Sequence, residues 1–153
     1  MPGKVVLFGA TGYTGHLTAE AMVARGMRPL LAARSADKLK EMAAGLGGLD
    51  TQTADVSDPA SVAALVEKGD VLVSTVGPFV RYGDAAVTAA ARSGAHYLDS
   101  TGEPPFIRAV FERHDAPARD SGAGLLTAFG YDFVPGNLAG ALALREAGPN
   151  QPR

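Results

Sequence analysis

Residues 4–15 read KVVLFGATGYTG, that is Lys4 through Gly15. Val5-Val6-Leu7-Phe8 is a continuous apolar run, β-branched at its start and bounded by Gly3 and Gly9. Such a run, too short for a helix, marks a strand buried on both faces. Gly9, Gly12 and Gly15 follow at a spacing of three. This is a relaxed form of the dinucleotide-binding turn. In such a turn the first glycine lets the chain leave the strand sharply. The second lets backbone approach a pyrophosphate, and the third lets the next helix pack closely on the sheet. The helix N-terminus then presents N–H groups and a positive dipole end to phosphate oxygens. Thr11 and Thr14 add hydroxyl donors, and Tyr13 lies between them. A ligand-free tight turn is the ordinary alternative. A P-loop is excluded, because the Gly3-Lys4 pair precedes the strand instead of following the turn.

Outward from this unit, short apolar runs alternate with amphipathic stretches. Leu17 to Ala24 is expected to be a helix, and Pro29 to Ala33 a second strand. Ser35 can N-cap a helix from Ala36 to about Ala44. Thr51 to Asp55 is a weaker strand. Asp58-Pro59 combines an N-cap with proline at the first helical position and starts a helix expected to reach about Lys68. Val71 to Thr75 is a strand, Asp84 to Ser93 an alanine-rich helix, and His96 to Asp99 another strand. Pro105 to about Ser121 is helical, with Pro117 expected to kink or split it. Leu125 to Ala128 is the last strand and Asn137 to Ala147 the last helix. The pattern predicts an α/β fold of Rossmann type: a doubly wound, mostly parallel six-stranded sheet with helices on both faces. Residues 1–147 are expected to form that domain, and 148–153 a linker or chain end.

The end of the second strand selects the nucleotide. An NAD site expects an acidic residue there to bond the ribose 2′-hydroxyl. This chain has Arg34, then Ser35 and, one turn on, Lys38. A guanidinium forks onto a 2′-phosphate, so NADP is the expected cofactor. NAD becomes plausible only if Asp37 turns inward. Asp55 and Val56 close the third strand, where this fold places the adenine; a capping role for Asp55 competes. Thr75, Val76, Gly77 and Pro78 close the fourth strand at the switch in strand order, where backbone passes the nicotinamide ribose.

The chain has 153 residues, 46% of them hydrophobic and 20% charged, which suits one globular domain and argues against disorder. A formal charge of −2 gives no electrostatic footprint for nucleic acid. Cysteine is absent, which excludes a disulfide framework and thiolate chemistry. No apolar run reaches the roughly 18 residues of a membrane span. A cytoplasmic protein is expected.

Proton-donor candidates lie at the C-terminal ends of strands four to six: Tyr82, Asp99, Glu103, Tyr131 and Asp132. Tyr131 and Asp132 are the pair a substrate would reach, in a loop rich in glycine and proline. Structural packing and turn capping are their ordinary roles. No tyrosine is followed four residues later by lysine, so the pair that marks short-chain dehydrogenases is missing. The histidines His16, His96 and His114 lack metal-ligand spacing, and no metal site is expected. His114, just before Asp115 on a helix, reads as a surface pair. No serine sits in a nucleophile elbow.

Gly9–Gly15 (GATGYTG), Leu31–Ser35 (LAARS), Ser74–Phe79 (STVGPF), Tyr82-Gly83, His96–Glu103 (HYLDSTGE) and Gly130–Leu138 (GYDFVPGNL) occur in this order. Together they resemble the N-terminal NADP-binding domain of saccharopine dehydrogenase-like oxidoreductases, a group that includes saccharopine reductases and trans-acting enoyl reductases. The resemblance spans about Lys4 to Leu144 and rests most on the last three long segments. It implies a parent oxidoreductase that moves a hydride between NADP(H) and a C=C or C=N bond of a small or lipid-linked substrate. It also implies a second α/β domain, absent from this chain, that builds much of the substrate pocket. A regulatory module that senses NADP without turnover is the competing expectation.

Overall fold

Val5–Phe8 forms β1, and its neighbours on both sides explain why the run is apolar without a break. Val6 and Phe8 enter one hydrophobic cluster, whereas Leu7 enters the other. Successive strand residues point to opposite faces, so a strand covered on both sides needs apolar groups at every position. β2 (Leu30–Ala33) pairs with β1 in parallel, Leu31 opposite Leu7. On its other edge β1 meets β4 (Val71–Ser74), with Val73 opposite Leu7. β3 (Thr51–Thr53), β5 (His96–Asp99) and β6 (Leu125–Leu126) complete a sheet of order β3-β2-β1-β4-β5-β6, parallel throughout. The computed structural model describes residues 3–148. Residues 149–153, most of the expected linker, lie outside the described residues.

One face of the sheet is covered by α1 (Tyr13–Ala24) and α2 (Ala36–Gly45), through Ala19, Leu39 and Met42. The other is covered by α3 (Pro59–Ala63), α5 (Asp84–Ser93) and α6 (Pro104–Ser121), through Val62, Val87 and Val110. The expected doubly wound α/β sheet is therefore the observed one, six-stranded and entirely parallel. The chain leaves β1 for β2 on one side and returns for β4 on the other. The crevice between the C-terminal ends of β1 and β4 is thus the switch point, where open α/β sheets hold their ligands.

Several boundaries differ from expectation. α1 begins at Tyr13, not Leu17, because Gly12 serves as its N-cap and the last glycine of the turn is already helical. Ser35 caps α2, accepting from the Lys38 amide, and Asp58 caps α3, accepting from the Ala60 and Ser61 amides. α3 nevertheless ends at Ala63 and does not reach Lys68. Gln52 donates to the Ala64 carbonyl at 3.2 Å, and the Asp70 carboxylate takes the Glu67 amide at 2.9 Å. Backbone groups that a longer helix would pair internally are satisfied from outside, and buried Leu65 and Val66 join the core.

α6 runs through Pro117 without splitting. Proline removes one amide bond there. Val110, His114 and Ala118, spaced four apart, keep one stripe of the helix buried on either side of it. His114 is accordingly not a surface pair. It is buried, with Nε2 3.3 Å from Asp84 Oδ1 across the helix interface, while Asp115 pairs with Arg119 at 2.8 Å. A short helix, α4 (Phe79–Tyr82), lies between β4 and α5, where no helix is expected from the sequence. β6 stops at Leu126, since Thr127 and Ala128 turn away to hydrogen-bond Asp99. α7 (Val134–Ala147) starts three residues before Asn137 and has no buried residue.

Candidate functional site

Gly9 leaves β1 with φ +89, a left-handed conformation that side chains rarely adopt. Its amide donates to the Ala32 carbonyl at 2.8 Å, which ties the turn to β2. A Cβ at Gly9 would meet Thr75 Oγ1 at 2.8 Å and Val76 Cγ2 at 2.9 Å. Thr75 Oγ1 in turn donates to the carbonyls of Phe8 (3.1 Å) and Gly9 (3.2 Å), so the turn is pinned to the end of β4 as well. Gly15 is buried, and a Cβ there would fall on the Gly9 carbonyl oxygen, with Ala10 Cα at 2.8 Å. Gly12 differs. It is exposed, with φ −81 and ψ 167, and the nearest atom to an added Cβ is Gly9 O at 3.3 Å. α1 has no side-chain cap and no acidic residue in its first turn. Its first amides therefore face outward beside a positive dipole end.

This turn forms one wall of a cleft of about 410 Å³ at the switch point. Gly9, Thr11 and Gly12 line it from the turn. Arg34, Ser35 and Lys38 line it from the end of β2 and the start of α2, and Val56 from the segment after β3. Thr75, Val76 and Gly77 close it from β4. No aspartate or glutamate lines the cleft. Arg34 and Lys38 make no ion pair among the described residues, and Asp37 is exposed outside the cleft. The lining thus offers the cations of Arg34 and Lys38, the hydroxyls of Thr11, Ser35 and Tyr82, and a helix N-terminus, which fits a ligand carrying several phosphates.

Other expected site residues stand apart from the lining. Tyr13 is 86% exposed on the outer side of α1. Thr14 is exposed, its carbonyl accepting from the Thr18 hydroxyl, and Gly15 is packed beneath the turn. Pro78 is the N-cap of α4. Asp55 accepts from the Ser57 amide (2.8 Å) and hydroxyl (2.7 Å) in a local turn leading to α3. Those two bonds hold its carboxyl below the usual carboxylate range, and the charge of Arg34 adds a smaller push the same way. Tyr131 is 88% exposed and Asp132 is exposed; neither lines the cleft.

Among the remaining candidates, Tyr82 lines the cleft, with the Arg81 guanidinium 5.1 Å from its ring centre. Its place there follows from α4, which local spacing does not reveal. Asp99 and Glu103 are fully engaged as acceptors of protein hydrogen bonds. Tyr97 is completely buried. Burial pushes its phenol well up, and the neighbouring Asp99 pushes further, so it keeps its proton away from any ligand. A larger hollow of about 770 Å³ lies between α3 and α5 and touches the cleft at Val56 and Tyr82. It has neither glycine turn nor strand end. No group of three potential metal ligands occurs among the described residues. Among the same residues, no helix is long and apolar enough to cross a membrane.

With this geometry in place, the comparisons with known proteins are specific. The family model for the saccharopine dehydrogenase NADP-binding domain matches residues 5–123. A trans-acting enoyl reductase of Mycobacterium leprae is 40% identical over 140 residues, covering 88% of this chain and 34% of the relative. One from Mycobacterium ulcerans is 37% identical over 141 residues, with the same coverage of 88% and 34%. The chain thus spans about a third of the length of the curated relatives it matches. Among solved structures, saccharopine dehydrogenase (L-Glu forming) from Saccharomyces cerevisiae superposes with a TM-score of 0.77 at 18% identity. That match covers 94% of this chain and 31% of the yeast chain, and at such identity it speaks for the fold alone.

Proposed function

Since the chain belongs to the saccharopine dehydrogenase NADP-binding domain family, we propose that it forms the cofactor half of an NADP-dependent oxidoreductase. The whole protein, in this reading, transfers a hydride between NADP(H) and a C=C or C=N bond of a small or lipid-linked substrate. The observation that carries it is the cleft itself: a glycine turn and helix N-terminus on one side, two cations on the other, and no carboxylate between. Gly9, Thr11 and Gly12 take the pyrophosphate; Arg34, Ser35 and Lys38 take the 2′-phosphate; Val56 lies against the adenine. Thr75, Val76 and Gly77 flank the nicotinamide ribose. Bound NADPH supplies the hydride chemistry, and this chain orients it.

A second domain outside this chain completes the substrate pocket. The α7 surface supports that reading, because Leu138, Leu142 and Leu144 are all exposed on a helix with no buried residue. Tyr131 and Asp132, in the loop before it, are the proposed proton donors toward a substrate held there. A cytoplasmic location suits a diffusible dinucleotide. The resemblance of the chain to the enoyl reductases favours C=C reduction.

Calorimetry with NADPH, NADP+, NADH and NAD+ in parallel tests the cofactor reading, and Arg34→Ala sharpens it. A hydrogen bond to a charged group is worth roughly 1.5–3 kcal/mol, and exposure places Arg34 at the lower end. The variant is expected to bind NADPH about tenfold more weakly. NADH affinity should hardly change, and the NADPH effect should shrink as salt rises. Equal losses for both nucleotides would remove the 2′-phosphate from Arg34. A further expectation concerns turnover: the chain alone binds NADPH but does not oxidise it with an enoyl thioester. Steady loss of NADPH absorbance under those conditions would show that no second domain is needed.

A further inference from the structure

Glu103 is the N-cap residue of α6, yet its side chain does not cap that helix. Its carboxylate reaches across to α4 instead. Oε1 accepts from the Phe79 amide at 2.7 Å and Oε2 from the Val80 amide at 2.9 Å. These are the first amides of α4, whose own N-cap, Pro78, provides no side-chain acceptor. The contact is reinforced by packing. The Phe79 and Phe106 rings lie 5.6 Å apart, and a Cβ at Gly83 would meet the Phe106 ring at 2.5 Å. Only glycine lets α4 sit this close to α6.

Glu103 is itself held from below. Its amide donates to Thr101 Oγ1 at 3.1 Å, and the Thr101 amide donates to Asp99 Oδ1 at 2.9 Å. Asp99 is 3% exposed and also receives the Thr127 hydroxyl (2.9 Å to Oδ2) and the Ala128 amide (3.0 Å). Ala128 has φ +58, a conformation a non-glycine residue adopts only when its surroundings impose it. Two carboxylates thus join the loops that follow β4, β5 and β6 into one unit. The loop after β4 carries Val76 and Gly77, which line the cleft three and two residues before Phe79.

We infer that Glu103 is a positioning residue that sets the wall of the cleft at Val76 and Gly77, and through it the binding of the nicotinamide half of NADP(H). The inference rests on the cofactor reading above. It separates two halves of one ligand: Gly9, Gly12, Arg34 and Lys38 belong to elements that Glu103 does not touch.

The test compares NADPH with adenosine 2′,5′-bisphosphate, which carries the adenine and 2′-phosphate but no nicotinamide riboside. Glu103→Ala, which removes both acceptors of the α4 amides, is expected to weaken NADPH binding about tenfold, while the bisphosphate binds as to the unaltered chain. Glu103→Gln keeps one carbonyl acceptor but turns an NH2 toward the second amide, so it should restore part of the NADPH affinity. If the alanine variant melts too low to assay, the glutamine variant provides the same comparison. Equal weakening of both ligands would reduce Glu103 to general support of the fold. Unchanged NADPH affinity in both variants would equally overturn the proposal. An unaltered chain that binds neither ligand would remove the cofactor reading first, a failure that the variants cannot mimic.

Discussion

Gly12→Val is expected to lower NADPH affinity more than about a hundredfold while the domain stays folded. The backbone at Gly12 is extended and open to any residue, and an added Cβ has one close neighbour, Gly9 O at 3.3 Å. The fold can absorb that with a small shift. In the cofactor reading proposed above, however, a branched side chain at this N-cap stands where the pyrophosphate approaches the first amides of α1. Losing two hydrogen bonds to a charged group at roughly 1.5 kcal/mol each is about 3 kcal/mol, or more than a factor of a hundred. The structural cost is smaller: valine is a poorer N-cap than glycine, by about 1 kcal/mol, which lowers the melting midpoint by roughly 2–4 °C. Calorimetric titration beside a thermal melt checks both parts. A valine variant that binds NADPH as tightly as the parent would place the pyrophosphate elsewhere.

Gly15→Ala is expected to do the reverse, breaking the fold before it reaches the ligand. The new methyl would lie on the Gly9 carbonyl oxygen, with Ala10 Cα at 2.8 Å and the Gly9 carbonyl carbon also at 2.8 Å. All three are backbone atoms of the turn itself, so no side chain can rotate away. Overpacking in a rigid interior typically costs 1–3 kcal/mol, and here about 3 kcal/mol or more is expected. The midpoint should fall by roughly 6–12 °C. An alanine variant with an unchanged midpoint would mean that α1 can lift from β1 at little cost. In the proposed reading, two glycines three residues apart in one motif serve different ends, one clearing space for a ligand and one for the backbone of the turn.

Part of that difference is legible in the motif, which gives Gly12 the approach to a pyrophosphate and Gly15 the close packing of helix on sheet. What the motif leaves open is how the turn is held, and that depends on Thr75 and Val76, just after β4, coming to rest against Gly9, some sixty residues along the chain. The same holds for the cleft wall opposite. Arg34, Ser35 and Lys38 are readable as a group because they are neighbours in sequence. Tyr82 is not, because α4 exists only where Glu103, about twenty residues further on, satisfies its first amides. Asp55 has two readings in sequence, adenine partner or cap, and the structure engages its carboxylate with Ser57, two residues away, in a turn.

What the amino-acid sequence by itself determined is what local chemistry enforces. Val5–Phe8 had to be a central strand, since four apolar side chains pointing alternately up and down need cover on both faces. Ser35 and Asp58 had to start helices, since their oxygens meet amides only two or three residues away. Alternation of such units left little choice but a parallel doubly wound sheet. Tertiary structure alone decided what depends on partners far along the chain. α3 stops at Ala63, and Gln52 and Asp70 take the Ala64 carbonyl and Glu67 amide that a longer helix would pair internally. His114 is buried because α5 brings Asp84 to it. Asp99 and Glu103, acidic residues that invite a catalytic reading, are spent on amides 24 to 29 residues away. A carboxylate binds whichever donor the topology delivers, and only the assembled sheet determines that donor.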